Sequence, residues 1–116
     1  FDDNECIMSD SFMDKFKLSP PDLQEFIISL FVKALQSGLL FPARGDDNIV
    51  KKCEADNVYE LRNHAYGGIR IYFRCVDNKI FIGNMGTKSS YKGDSQSNDI
   101  THAGKLMDKL ERSMRN

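Results

Sequence analysis

The sequence has no apolar run of the roughly 18 residues that a membrane-spanning helix needs. Its longest apolar stretch, residues 26–35, is interrupted by Ser29 and Lys33. No cationic segment followed by a small-residue cleavage site opens the sequence, which begins at Phe1. We therefore expect a cytoplasmic protein with no membrane partner, and the true N-terminus stays open.

Cysteines are few and widely spaced, at Cys6, Cys53 and Cys75, with no Cys-x-x-Cys pair. An odd, scattered set argues against both a disulfide framework and a zinc site. Cys75 falls in register with apolar neighbours of a predicted strand, which favours a packed thiol over a nucleophile. We expect reduced thiols, no metal site and no small-molecule cofactor.

The chain also lacks the basic excess that is typical of nucleic-acid-binding proteins, since its formal net charge is −1. That average conceals an uneven distribution. Residues 1–50 carry 4 Lys and Arg against 9 Asp and Glu, residues 51–92 carry 8 against 4, and residues 93–116 carry 4 of each. The middle of the chain is therefore the basic part.

Periodicity and turn residues predict a single domain, residues 1–116, of the α+β class. The expected fold is a small antiparallel sheet of three to four strands, with two N-terminal helices packed on one face and a C-terminal helix. The predicted elements are an opening strand at Glu5–Met8, a helix ending near Lys17, a helix with an apolar stripe over residues 23–35 and a cap at Gly38, strands at 58–62, 69–76 and 79–82, and a final helix with a stripe over residues 100–114. Residues 39–57 and 93–98 have the composition of loops.

Side chains alternate across a strand, so the basic residues of the middle strands share one face. In the strand 69–76, Arg70, Tyr72 and Arg74 point away from the apolar side. A hairpin would place Arg62 close to Arg70, which costs energy unless an anion or a carboxylate lies between the two guanidinium groups. Glu60 on the neighbouring strand is a candidate for that carboxylate. In that case the Arg–Glu pairs only keep the outer face of the sheet polar and bind no ligand.

The segment after the last predicted strand, residues 83–93, is flexible, cationic and aromatic in composition. Lys88 and Lys92 supply amines for phosphate, and Tyr91 supplies a phenol that can stack on a base or hydrogen-bond a phosphate. If the strands pair as predicted, this loop leaves the sheet near Arg62 and Arg70. The sequence thus indicates a cationic, aromatic-lined site for a nucleic-acid backbone.

Two strings, Val-Tyr-Glu-Leu-Arg at 58–62 and Gly-Ile-Arg-Ile-Tyr-Phe at 68–73, precede a strand that ends in a Lys-containing loop and a final helix with Ile100 and Ala103. In this order they resemble the RelE/ParE toxin superfamily, and most closely its HigB-like, phage-associated branch. The resemblance implies the toxin of a type II toxin–antitoxin system, an mRNA interferase that cleaves mRNA on the ribosome without a metal. Its expected partners are a cognate antitoxin protein and mRNA on the ribosome.

The resemblance also implies roles for particular residues. Because the 2′-OH of one nucleotide attacks the next phosphate, such a site needs cations for the phosphorane charge and groups that move protons. The expected catalytic residues are Arg62, Arg70, Lys88 and Tyr91, and the expected RNA-binding residues are Arg74, Lys92, His64 and Tyr72. Either Tyr91 or His64 is the candidate proton carrier.

Two other functions stay open. A non-catalytic member of the same superfamily would bind DNA gyrase, as ParE-like toxins do, or bind only its antitoxin. A small adaptor of another class would use the sheet edge or a helix groove for protein contacts, and would show a conspicuous apolar surface patch.

Overall fold

The computed structural model describes residues 5–36, 50–55 and 57–114. In chain order the described elements are β1 (Glu5–Met8), α1 (Asp10–Leu18), α2 (Pro21–Gln36), β2 (Val50–Lys52), β3 (Tyr59–Asn63), β4 (Ile69–Val76), β5 (Lys79–Thr87) and α3 (Ser95–Met114). Short 3-10 turns at Ala65–Gly67 and Lys88–Ser90 lie between β3 and β4 and between β5 and α3. The predicted α+β class is confirmed, and the predicted helix cap at Gly38 lies outside the described residues.

The strands that the structure describes form one five-stranded sheet in the order β1-β5-β4-β3-β2. β1 runs parallel to β5, and the other neighbouring pairs are antiparallel. The predicted antiparallel meander of β3, β4 and β5 forms the centre, and β1 and β2 extend it on either side. β2 falls in a stretch whose composition predicts a loop. The sequence does not reveal this strand, because three residues are too few to show an alternating pattern.

The two N-terminal helices pack on one face of the sheet, as predicted. Phe12 of α1 and Ile27 and Ala34 of α2 are buried against the strands. The strand side chains in this core are Val50, Leu61, Ile69, Ile71, Phe73, Ile80, Ile82 and Met85. The alternation predicted for β4 is confirmed, because its apolar side chains lie in this core.

α1 also covers the part of β5 that β1 leaves unpaired. Ser9 caps α1, since its Oγ accepts the backbone N–H of Phe12 at 3.1 Å. The same hydroxyl donates to the carbonyl of Gly83, and Lys15 Nζ donates to the carbonyl of Met85 at 2.8 Å. β1 pairs with β5 only as far as Ile82. The side chains of α1 therefore satisfy the edge carbonyls beyond it and fix the end of β5 that leads to the candidate site.

α3 packs on the opposite face of the sheet, over Tyr72 and Phe81, where Ala103 and Met107 are fully buried. The close approach depends on Gly83, because a Cβ there would lie 2.6 Å from the carbonyl oxygen of Ala103. None of the helices described is long and apolar enough to span a bilayer. The face on which the sequence predicts open cationic side chains is thus partly covered by a helix.

Two element boundaries differ from the sequence-based prediction. β5 continues to Thr87, which pairs with Ile69, so residues 83–87 are strand and not flexible loop. α3 begins at Ser95, although residues 93–98 have a loop-like composition. The polar residues there form the helix start, because Ser95 Oγ accepts the backbone N–H of Lys92 at 2.7 Å. These shifts shorten the cationic loop to a compact turn.

Candidate nucleic-acid interface

Three neighbouring strands bring the predicted cations to one end of the sheet. Arg62 on β3 lies directly opposite Arg70 on β4, and Arg70 lies opposite Gly86 on β5. Because neighbouring strands are about 4.8 Å apart, this row of three residues spans roughly 10 Å. The predicted proximity of Arg62 and Arg70 is therefore confirmed at the level of strand register.

Arg70 is buried, and two of its three guanidinium nitrogens have partners. Its Nε lies 2.7 Å from Glu60 Oε1, and its Nη1 donates to the carbonyl of Ile69 at 2.9 Å and, at a longer 3.4 Å, to that of Asn63. Only 3% of Arg70 is exposed. Glu60 is thus the carboxylate that the sequence offers as partner for the arginines. In this conformation the Arg70 guanidinium has no open path to a phosphate in solvent.

Arg62 and Lys88 differ from Arg70 in having unpaired charges. Arg62 is half-buried and Lys88 is exposed. Neither side chain makes a hydrogen bond or ion pair with residues 5–36, 50–55 or 57–114. Lys88 is nevertheless well placed by its backbone, since its N–H donates to Gly68 at 2.8 Å and its carbonyl accepts from Tyr91 at 3.2 Å. These are cations that an RNA phosphate can reach.

The turn between β3 and β4 packs against the turn that carries Lys88. Gly67 and Gly68 have φ values of 82° and 89°, which glycine adopts without a steric penalty. A Cβ on Gly68 would lie 3.0 Å from Lys88 Cβ and 3.6 Å from Arg70 Nη1, so the missing side chain lets the two cationic residues approach. His64, at the start of this turn, is exposed and makes no hydrogen bond with the described part of the chain.

Two phenols and a carboxylate form a connected group beside the cations. The hydroxyl oxygens of Tyr72 and Tyr91 are 2.9 Å apart, and the Tyr91 hydroxyl donates to Asp99 Oδ2 at 2.9 Å. Gln96 Nε2 reaches the Tyr72 hydroxyl at 3.4 Å. The group sits over Gly86, where a Cβ would lie 2.1 Å from the Tyr91 hydroxyl. Gly86 is the cross-strand neighbour of Arg70, so the phenols adjoin the row of cations.

Burial shifts the titration of both phenols. Desolvation raises the pKa of Tyr72 to about 12, although the hydrogen bond from Gln96 acts in the opposite direction. Desolvation also raises the pKa of Tyr91, and the hydrogen bond to Asp99 and the negative charge of Asp99 raise it further. Both phenols are therefore neutral at physiological pH. Each can take part in proton transfer only by accepting one proton while it donates another.

Arg74 lies apart from this group. It is four residues from Arg70 along β4, which is about 13 Å of strand. Its Nη1 contacts Asp108 Oδ1 at 2.7 Å and Glu111 Oε1 at 2.6 Å, and its Nε donates to the carbonyl of Asn57 at 3.0 Å. The structure thus gives Arg74 two carboxylates of α3, and its side chain is 4% exposed. By contrast, Lys92 is exposed in the segment before α3, one residue from Tyr91.

A groove of about 550 Å³ opens between β2, β3 and the first half of α3. It adjoins the phenol group through Gln96 and the buried ion pair through Glu60. Its lining includes Lys51, Lys52, Glu60, Gln96, Ile100 and Thr101. The loop-like composition of their segment does not indicate that the adjacent lysines of β2 line a groove. The one sequence feature that could indicate a cationic site there is that the two lysines are consecutive.

Asp99 is the other residue that sequence reasoning missed. It follows a polar segment and carries no motif, so nothing local links it to Tyr91 eight residues earlier.

Burial of Cys53 and Cys75 raises the pKa of these thiols, to about 12 and about 11, which disfavours a thiolate nucleophile. No three His, Cys, Asp or Glu side chains of the described ranges come together as metal ligands.

A second surface is apolar. A groove of about 280 Å³ lies between β1, α1 and α2, and its lining includes Met8, Phe16, Ile28 and Phe31. The adaptor hypothesis predicts such a patch, but a toxin that is bound by an antitoxin needs a protein-binding surface too. The groove therefore does not separate these two hypotheses.

This arrangement of helices, sheet and turns is the RelE toxin fold. A mutant of the E. coli toxin RelE in the free state matches with a TM-score of 0.62 and 14% sequence identity, covering 88% of this chain and 95% of that chain. The isolated E. coli RelE toxin matches with a TM-score of 0.58 and 14% identity, covering 84% and 96%. The intact E. coli RelBE toxin–antitoxin complex matches with a TM-score of 0.56 and 14% identity, covering 72% and 95%.

Sequence comparison alone does not reveal this likeness. No protein-family model matches the chain, and no curated protein sequence matches it either. The predicted resemblance to RelE toxins is confirmed at the level of the fold. The HigB-like branch and the roles of the individual site residues stay predictions.

Proposed function

We propose that this chain is the toxin of a type II toxin–antitoxin pair, a cytoplasmic endoribonuclease that cleaves mRNA on the ribosome and is held inactive by a cognate antitoxin. The likeness to the free RelE toxin and to the RelBE toxin–antitoxin complex supports this proposal through the fold. A fold alone does not assign an activity, so the argument depends on the site.

One observation carries the proposal: the cations Arg62 and Lys88, which have no ion-pair partner among the described residues, share one end of the sheet with Tyr91. Lys88 is joined to Tyr91 through a backbone hydrogen bond, and Arg62 belongs to the row of residues that ends below the Tyr91 hydroxyl. Cations close to a group that can move protons are what phosphoryl transfer requires. A phosphodiester that contacts Arg62 or Lys88 displaces no ion pair of the described residues.

In the proposed reaction the 2′-oxygen attacks the adjacent phosphorus, and the 5′-oxygen leaves. Arg62 and Lys88 stabilise the extra negative charge of the phosphorane. The buried Arg70 adds positive potential behind them but is largely neutralised by Glu60. Tyr91 or His64 moves the protons, and the exposed Lys92 is a further RNA-binding candidate. Tyr72 is fully buried beneath α3 and could contact RNA only if that helix moved away. Arg74, 4% exposed in its ion pairs, would bind RNA only if α3 moved away.

A second candidate is a non-catalytic toxin-fold protein that binds only its antitoxin or binds DNA gyrase. The specific observation in its favour is the Arg70–Glu60 ion pair, because it removes the central cation of the row from solvent. The two candidates differ in whether RNA is cut.

The test is induced expression in a bacterial host, with growth followed and the 5′ ends of mRNA mapped. The informative variants are Arg62→Ala and Lys88→Ala, because neither breaks an ion pair among the described residues. Arg70→Ala is less suitable, since it leaves Glu60 buried without a partner. Arg112→Ala and Lys109→Ala are matched controls, because both are exposed on α3 and Arg112 lies about 25 Å along the helix from its start.

The proposal expects growth arrest and new mRNA 5′ ends with wild type and both controls. It expects a reduction in cleavage of about 100-fold for Arg62→Ala and for Lys88→Ala, the size typical of removing one charge stabiliser. Growth arrest without new 5′ ends would instead support the gyrase-binding alternative, and no arrest would support a protein that binds only its antitoxin.

A further inference from the structure

The hydrogen bonds of the phenol group have a defined direction. The Tyr91 hydroxyl has one proton, and its bond at 2.9 Å to Asp99 Oδ2 uses it, because an ionised carboxylate only accepts. The bond between the two phenols must then be donated by Tyr72 and accepted by Tyr91. Gln96 Nε2 can only donate to the Tyr72 oxygen. Every proton in the group therefore points toward Asp99.

The position of Tyr91 connects this chain of hydrogen bonds to the cations. The Tyr91 hydroxyl lies over Gly86, next to Arg70 in the sheet, and its backbone is bonded to Lys88. A phenol oxygen has two lone pairs, and Tyr72 uses one of them. The other lone pair has no donor among the described residues, and in our proposal it accepts the ribose 2′-hydroxyl.

We propose that Asp99 is the final proton acceptor of this site and acts through Tyr91, an inference that rests on the proposed endoribonuclease function. As the 2′-oxygen forms its bond to phosphorus, its proton moves to the Tyr91 oxygen while the Tyr91 proton moves to Asp99 Oδ2. The bond from phosphorus to the 5′-oxygen breaks, and water protonates that oxygen. Asp99 later returns its proton to solvent, so the products are a 2′,3′-cyclic phosphate and a 5′-hydroxyl, with no net change in protons.

In this scheme Tyr91 never has to ionise, which fits a buried phenol with a raised pKa. Tyr91 is the residue that contacts the substrate. Asp99 is a positioning residue that orients the Tyr91 hydroxyl and takes up its proton. Proton transfer of this kind is typically worth about 10²- to 10⁴-fold in rate.

The experiment measures kcat and KM for cleavage of an mRNA bound to purified ribosomes by wild type, Asp99→Asn, Asp99→Ala, Tyr91→Phe and the control Asp94→Asn. Asparagine keeps an oxygen that can accept the Tyr91 hydrogen bond but removes the basic carboxylate, so it separates orientation from proton uptake. Asp94 is an exposed carboxylate beside the start of α3, and Asp94→Asn removes the same charge without touching Tyr91. Thermal unfolding of each variant verifies that it is folded at the assay temperature.

The proposal expects kcat to fall at least about 100-fold in Asp99→Asn, Asp99→Ala and Tyr91→Phe, with KM within about threefold of wild type. Asp94→Asn should retain wild-type kcat. Wild-type kcat in Asp99→Asn, with or without loss in Asp99→Ala, would overturn proton uptake by Asp99 and leave the endoribonuclease function standing. Absence of cleavage by folded wild type would overturn that function together with the Asp99 inference.

Discussion

Arg70 and Glu60 form an ion pair between β4 and β3, with Arg70 Nε 2.7 Å from Glu60 Oε1 and side chains only 4% and 7% exposed. Glu60 lies opposite Tyr72 in the strand register, so it reaches Arg70 along a diagonal. A buried charge without a partner is costly, because water no longer solvates it. The pair therefore makes Arg70 part of the sheet's framework, while Arg62 beside it has no ion-pair partner among the described residues.

Replacing Glu60 tests that relationship. We expect Glu60→Gln to lower the free energy of unfolding by about 3 kcal/mol, because breaking one side of a buried pair leaves the other charge uncompensated. Urea denaturation at neutral pH gives the measurement. Glu25→Gln, an exposed carboxylate on α2, is the matched control and should change stability by less than about 0.5 kcal/mol. Equal effects of the two substitutions would contradict a buried Arg70 charge.

The two sides of the ion pairs that join Arg74 to α3 should contribute unequally to stability. Arg74 faces two carboxylates, of which Asp108 is 56% exposed and Glu111 is 16% exposed. We expect Arg74→Met to destabilise the protein by about 3 kcal/mol, and Asp108→Asn by less than about 1 kcal/mol, because it is solvent-screened and Glu111 remains. Denaturant unfolding measures both. A small effect of Arg74→Met would indicate that α3 is held by its apolar contacts alone and would reopen Arg74 as an RNA ligand.

A side chain added at Gly86 should disturb the phenol group more than it disturbs the backbone. A Cβ at this position would lie 2.1 Å from the Tyr91 hydroxyl and 2.7 Å from its Cζ, so Gly86→Ala must displace the ring. We expect a destabilisation of about 1–3 kcal/mol and a changed NMR signal for the Tyr91 ring. Gly93→Ala is the comparison, because a Cβ there meets nothing within 4 Å and only its φ of +55° is unfavourable. An unchanged Tyr91 signal in Gly86→Ala would contradict the close contact.

The local part of this fold could be predicted from the sequence, because it depends on neighbours along the chain. The alternation of residues 69–75 separates the two faces of β4, and the short hairpin fixes Arg62 opposite Arg70. Ser9 and Pro21 mark the helix starts where the structure has them. These features need only strand geometry and turn chemistry.

The non-local part could not be predicted, because polar contacts between distant segments leave no periodic signal. Nothing in the strand 69–76 shows that Asp108 and Glu111 of a later helix will pair with Arg74. Likewise, Asp99 gains its importance only when α3 brings it to Tyr91. The same limit applies to burial, since the sequence shows Arg70 on the polar face of its strand but not the Glu60 contact that removes it from solvent.

Alkaline pH should destabilise the protein through Tyr72. Its folded-state pKa of about 12 lies above the ordinary value of 10.0 that applies in the unfolded chain. Below pH 10 the phenol is protonated in both states, and its contribution to stability is fully present. As the pH rises toward 12 the unfolded state ionises first, so the free energy of unfolding falls.

We expect urea midpoints to decline between pH 10 and pH 12 in wild type, and to decline less steeply in Tyr72→Phe. Tyr59→Phe, which removes a hydroxyl that makes no hydrogen bond with the described residues, is the comparison variant for the loss of one phenol. An identical slope in wild type and Tyr72→Phe would show that Tyr72 titrates alike in the folded and unfolded states.

The salt dependence of RNA binding should identify the cations that contact phosphate. Each phosphate contact on single-stranded RNA contributes about −0.7 to the slope of log K against log salt concentration. Arg62 and Lys88 have no ion-pair partner among the described residues, so Arg62→Ala and Lys88→Ala should each make the slope less steep by about 0.7. Fluorescence anisotropy with a labelled oligonucleotide across a salt series gives these slopes. Arg112→Ala, at the far end of α3, should leave the slope unchanged. An equal change of slope in Arg62→Ala, Lys88→Ala and Arg112→Ala would indicate that overall charge attracts the RNA and that there is no defined phosphate site.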